Sequence, residues 1–115
     1  MLFRSEPPSQ RAINFGTYIL KKSVDCKATG VIIQQKTGSY LLSFRMEGKW
    51  VEVGNLSHLS GSETLIFLEN LVQPSTETTE TIDYLYKERT YRFTAEFKRT
   101  GQGSCVELTR IGNDA

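Results

Sequence analysis

The chain contains few residues of the kind that do covalent chemistry. Its one histidine, His58, stands between Ser57 and Leu59. A general base needs a nucleophile or a partner acid placed for it, and no serine or cysteine nucleophile motif accompanies His58. Cys26 and Cys105 are the only cysteines. A metal centre would draw on a cluster of Cys and His, and neither residue supplies one. Without a secretory context the two read as reduced structural thiols, bridged only if adjacent strands bring them together. Gly101-Gln102-Gly103 has the glycines of a phosphate cradle but lacks its strand-to-helix setting and its Lys-Ser/Thr, so it reads as a hairpin turn. The acidic residues are scattered, with no spacing that sets up a pair for proton transfer. The sequence therefore predicts no catalytic residue, no metal and no cofactor: a binding protein rather than an enzyme.

The candidates for binding are cations and an aromatic: Arg45, Trp50, Arg92, Lys98, Lys21 and Lys36. What they can do depends on the elements that carry them, and the stretch 30–56, GVIIQQKTGSYLLSFRMEGKWVEVGNL, is the most explicit. Thr37-Gly38 and Glu47-Gly48 are two-residue hairpin loops, with glycine supplying positive φ. Their registers pair Val31 with Phe44 and Ile33 with Leu42, then Arg45 with Trp50, Phe44 with Val51 and Leu42 with Val53. The two registers sort the side chains consistently. Val31, Ile33, Tyr40, Leu42, Phe44, Val51 and Val53 form a core face. Ile32, Gln34, Leu41, Ser43, Arg45, Trp50 and Glu52 form the other, where Arg45 and Trp50 are neighbours suited to a cation–π stack.

Residues 1–14, with Pro7-Pro8, read as an irregular arm. FGTYILKKSVD, 15–25, reads as a first strand, and 26–29 as the turn into the meander. Lys21, Lys22, Lys27 and Lys36 would then gather toward one end of the first strands. After the meander, Ser60 and Glu63 have capping-box spacing. Leu65, Leu68, Leu71 and Val72 make an apolar stripe, predicting a helix over 61–72 that Pro74 ends. PSTETTET, 74–81, is a polar loop. From Ile82 to Ile111 the alternation predicts a two-strand hairpin about 100–103, pairing Phe97 with Val106, Ala95 with Leu108, Lys98 with Cys105 and Glu96 with Glu107. Arg92 and Lys98 face outward, and Arg110 lies on the core side. Residues 112–115 are a tail.

These elements predict a single small α+β domain over 15–111. A curved antiparallel sheet of about five to six strands, in the order β-β-β-β-α-β-β, carries one helix on one face; an OB-like barrel is the alternative. GKWVEVGNLSHLSGSETLIFLENLV resembles the passage from last strand to helix in the Whirly-type single-stranded-DNA binders, a likeness of layout. At 115 residues the chain can bury one modest core, and its 14 Lys and Arg against 13 Asp and Glu remove any bulk electrostatic case for a polyanion. No stretch has the apolar length of a membrane span, and MLFRSEPPSQRAINFG has no apolar signal region, which points to an intracellular, cytoplasmic protein. An open sheet face with Arg45, Trp50, Arg92 and Lys98, flanked by Lys21 and Lys36, suits single-stranded nucleic acid, with bases stacked on flat groups and phosphates tracked by cations. That is the more specific reading, with the protein acting as a homo-oligomer; the alternative is a protein-interaction module that uses the same face, with Trp50 beside Leu41 and Ile32.

Overall fold

The computed structural model describes residues 9–72, 80–100 and 103–111, with side chains at 99 and 100 excepted. Helix α1 spans Gln10–Asp25 and strands β1, β2 and β3 span Gly30–Lys36, Ser39–Met46 and Lys49–Ser57. Helix α2 spans His58–Leu71, and strands β4, β5 and β6 span Glu80–Tyr86, Arg89–Thr100 and Gly103–Ile111. The six strands form one sheet in the order β3-β2-β1-β6-β5-β4, with every neighbouring pair antiparallel. Two three-stranded meanders thus meet at the β1–β6 pair. The sheet stays open, with β3 and β4 as its edges, so it is not a barrel.

The segment predicted as a first strand is α1, which also takes in residues 10–14 of the expected arm. Its buried positions are Ala12, Gly16, Ile19, Leu20 and Ser23, a helical stripe that alternation cannot produce. The Ser9 hydroxyl caps the helix by accepting the Ala12 N–H at 3.1 Å. At the other end Lys27 adopts φ 61°, its N–H bonds Val24 O at 3.0 Å, and the Ala28 N–H bonds Ser23 O at 2.8 Å. That pair of bonds is a Schellman closure, here made without glycine. The order is therefore α-β-β-β-α-β-β-β, and three strands, not four, precede α2. The layout that motivated the Whirly-type likeness is not the one observed.

Helix α2 begins three residues earlier than its sequence signal. Ser57, not Ser60, is the cap, and its hydroxyl accepts the Ser60 N–H at 3.0 Å. Glu63 does not close a capping box; its carboxylate lies 4.0 Å from Arg11 of α1. The two helices touch through Gly16, against which the Phe67 ring packs, and α2 approaches β2 through Gly61, which lies on the Tyr40 ring.

The hairpin registers of the first meander hold, with one correction. Val31 faces Phe44, Ile33 faces Leu42, and Arg45 faces Trp50. A β-bulge between Leu42 and Ser43 then shifts Leu42 onto Gly54 instead of Val53. Val51 and Val53, assigned to the core, are 40% and 43% exposed on the edge strand β3. The C-terminal register also holds, pairing Phe97 with Val106, Ala95 with Leu108 and Glu96 with Glu107. What was read as one long strand from Ile82 is two, folded at Lys87-Glu88, and β4 takes in Glu80 and Thr81 of the expected polar loop. Residues 1–8 of the arm, residue 73 with 74–79 of that loop, and the tail 112–115 lie outside the described residues.

Both helices cover one face of the sheet. Val31, Ile33, Phe44, Ile82, Phe93, Val106 and Leu108 are buried there with Ile19, Leu20 and Leu68 from the helices. The opposite face has no helix among the described residues.

Candidate binding face

The strand pairings lay out the open face as rows running across the sheet. The first row is Trp50, Arg45, Gly30, Thr109, Thr94 and Thr81. The second is Glu52, Ser43, Ile32, Glu107 and Glu96. The third is Leu41, Gln34, Cys105 and Lys98. Beyond the first row, toward the β4 edge, lie Ile111, Arg92 and Asp83.

Arg45 and Trp50 are positioned by the Glu47-Gly48 turn, whose φ values of 55° and 81° give the type I′ twist that sets cross-strand neighbours. The guanidinium carbon of Arg45 lies 5.9 Å from the centre of the Trp50 ring. The indole reaches past Arg45 toward β1: a Cβ built at Gly30 would lie 3.1 Å from Trp50 Cη2 and 3.4 Å from Arg45 Cβ. Gly30 is thus the floor on which the tip of the indole rests, a role that no local sequence signal announced. Trp50 remains 43% exposed.

The other predicted cations divide. Arg92 makes a two-point contact with Asp83, Nε to Oδ1 at 2.7 Å and the second nitrogen to Oδ2 at 3.2 Å. The hydrogen bond from Arg92 holds the Asp83 carboxyl below its ordinary value, against a smaller opposing effect of burial. That pair is electrically self-contained. Lys98 stands 3.9 Å from Glu96 on its own strand. Lys36 and Lys98 both line an open groove of about 600 Å³, with Ile32, Gln34, Ser104 and Cys105 among its walls. Within it, burial pushes the Cys105 thiol above its ordinary value; Lys98 opposes this, and Glu107 and Glu96 add to it.

Lys21 does not belong to this face. It lies on α1, 3.3 Å from Asp25 and 5.8 Å from the centre of the Tyr86 ring, on the helix-covered side. The Tyr86 hydroxyl donates to Asp25 at 2.9 Å and holds that carboxyl below its ordinary range, with Lys21 assisting. The expected grouping of Lys21, Lys22, Lys27 and Lys36 does not form. The first two are on α1, Lys27 follows its C-terminus, and Lys36 lies at the far end of β1. Arg110 is on the core side as expected, with its guanidinium 5.1 Å from the centre of the Tyr91 ring.

His58 is the first residue of α2, its ring 5.8 Å from that of Tyr40. Cys26 closes α1 and Cys105 pairs with Gln34 at the end of the β1–β6 ladder; both are free thiols. Among the described residues no three of His, Cys, Asp and Glu are grouped to hold a metal ion, and no helix is long and apolar enough to cross a membrane.

The sequence placed Glu52 on this face and Glu96 opposite Glu107, but only the β1–β6 pairing joins the three into one row. Glu52, Glu107 and Glu96 form a band between Arg45 on one side and Lys36 and Lys98 on the other. Across the open face Arg45, Lys36, Lys98 and Arg92 are matched by Glu52, Glu96, Glu107 and Asp83, so it carries alternating bands rather than one sign. No protein-family model matches the chain, and no curated protein matches it in sequence.

Proposed function

We propose that this protein is a non-catalytic binding module whose open sheet face meets a partner protein. The observation that carries this reading is the banded face itself. It presents an aromatic–Arg pair at one corner, apolar Ile32 and Leu41 between charges, and carboxylates alternating with cations. Interfaces between proteins favour Trp and Arg anchors set in mixed polar surroundings, with charge bands fixing register. A polyanion laid along the strands would cross the Glu52–Glu107–Glu96 band, which repels it.

Single-stranded nucleic acid is a second reading, favoured by the Arg45–Trp50 stack alone. On that reading the strand runs across the β-strands, over the first row, where Arg45, Trp50 and three threonines offer stacking and hydrogen bonds without a carboxylate.

One experiment separates the two. A photo-crosslinking amino acid at Thr109, on the open face, is compared with one at Ile66, which is 43% exposed on α2. Protease-sensitive adducts from position 109 and none from 66 support the protein partner. Nuclease-sensitive adducts support the second reading, and salt should then reverse any quenching of Trp50 by oligonucleotide. Equal labelling from both positions, or none from 109, refutes both.

A further inference from the structure

We propose that β3 pairs with β3 of a second copy of this chain, joining two sheets edge to edge about a two-fold axis at Val51. This does not depend on what the open face binds. The two edges of the sheet are treated differently. β4 carries a backbone bridge from Val72 to Ile82 on its outer side, which occupies part of that edge. No strand pairs with the outer side of β3 among the described residues. β3 is nine residues long and exposes apolar side chains on both faces: Trp50 at 43% on one, Val51 at 40% and Val53 at 43% on the other. A long apolar edge with unpaired backbone groups is a template for another strand.

The register follows from the turn. In a two-residue hairpin the closing pair, here Met46 and Lys49, exchanges both hydrogen bonds, and the pattern alternates outward. Lys49 and Val51 therefore direct their backbone groups at β2. Trp50 and Glu52 direct theirs out of the sheet. An antiparallel copy related by a two-fold perpendicular to the sheet must pair residues of one face with the same face. Centred on Val51, it sets Trp50 against Glu52 of the second copy and the reverse, so all the outward groups of both residues find partners. Val51 meets its own copy across a non-hydrogen-bonded site, where side chains approach most closely. Charge agrees with this choice. Glu52 of the second copy arrives beside Trp50, on the side away from Arg45, bringing a carboxylate to the cationic corner. A centre on Glu52 would stack two carboxylates. A centre beyond it would run into the bulge that displaces Val53.

The test uses the full chain in sedimentation equilibrium. Wild type should sediment as a dimer, with the mass halving on dilution. Val51→Lys should sediment as a monomer with an unchanged circular dichroism spectrum, since the side chain is already partly in water and the lysine would meet its own copy on the axis. Leu85→Lys, at the 70% exposed Leu85 on the other edge, should leave the dimer intact. In a Cys26→Ser, Cys105→Ser background, Val51→Cys should oxidise to a disulfide-linked dimer, because non-hydrogen-bonded cross-strand sites fall within disulfide geometry. Leu85→Cys in that background should not. A wild type that is monomeric at every concentration overturns the proposal, as does a Val51→Lys protein that remains dimeric. A monomer that still crosslinks from Thr109 would sink the dimer while leaving the binding face standing.

Discussion

Gly16→Ala tests how tightly the two helices meet. Helix propensity alone makes the change favourable by roughly 1 kcal/mol, because alanine loses less backbone entropy than glycine. Packing opposes it. A Cβ at Gly16 would fall inside the van der Waals envelope of Phe67 Cδ2 and Cε2, and 2.9 Å from Cγ. To recover the 3.5–4.0 Å of an ordinary carbon contact the ring must retreat by roughly an ångström or more. Phe67 is only 8% exposed and has core on its other side, so it cannot swing into water. Inserting a methyl into such a contact costs about 1–3 kcal/mol, and the size of the overlap argues for the upper half. The net expectation is a loss of about 1–2 kcal/mol, or roughly 4–8 °C in melting temperature for a domain of this size. Urea unfolding followed by far-UV circular dichroism gives the first number and a thermal melt the second. Phe67→Leu removes ring atoms from the contact. Gly16→Ala should therefore cost less in that background, with a coupling of about 1 kcal/mol. If Gly16→Ala raises the melting temperature, or if the two costs simply add, Phe67 does not pack on Gly16 and the close approach of the helices is wrong.

Three further outcomes follow from the local geometry. Ser57→Ala should cost about 1 kcal/mol by removing the α2 cap, whereas Ser60→Ala should be near neutral; equal costs in urea titrations would restore the capping box that the structure lacks. Asp83→Asn should cost below about 1 kcal/mol, because the Asp83 and Arg92 side chains remain 30% and 55% exposed. The folded carboxyl titrates below the unfolded one, so this contribution is present at neutral pH. It is lost as pH falls from the ordinary aspartate range through the lowered value, and the variant should lose that part of the acid slope in melts taken from neutral to acid pH. Iodoacetamide near neutral pH should alkylate exposed Cys26 before Cys105, whose thiol is half-buried and titrates high; mass spectrometry showing Cys105 modified first would contradict its placement.

What could be read from the chain was what lies close in sequence and carries a turn signal. The Arg45–Trp50 contact needed only the Glu47-Gly48 loop and strict alternation. Helix α1 was missed because its buried stripe is built partly of small residues, Ala12, Gly16 and Ser23, which a search for apolar periodicity passes over. The β4–β5 turn was missed because Lys87 and Glu88 adopt φ 53° and 65° without glycine or asparagine, so the chain reads as one alternating strand. Lys21 was misplaced as a consequence of the first error. The groove between Lys36 and Lys98 was invisible for another reason. It depends on β1 pairing with β6, strands some 70 residues apart, and Gln35 joins them at that end by accepting the Ser104 N–H at 2.8 Å. No local pattern encodes such a pairing; it rests on long-range burial, with Val31 against Leu108 and Ile33 against Val106.

The two faces of the sheet make different demands on a partner, and the open one is selective by direction. Along a strand, same-face residues recur about every 6.5–7 Å, so the Arg45 row, the carboxylate row and the Lys98 row alternate at that spacing. Across the strands each row advances about 4.8 Å per strand. An extended ligand parallel to β2 therefore meets a cation, a carboxylate zone and a second cation in turn. One perpendicular to it stays within one row, either Trp50, Arg45, Gly30 and the threonines or the three glutamates with Ser43 and Ile32, and so meets charge of at most one sign. A chain of uniform charge can use only the perpendicular path, over Trp50, Arg45 and the threonines. A folded protein with bands of its own can use the whole face, and its register would be fixed to one pleat by the repulsion that a slip of one row creates. That asymmetry is why the banding favours a protein partner over a polyanion. Net charge cannot make the distinction, because it is near zero on either account.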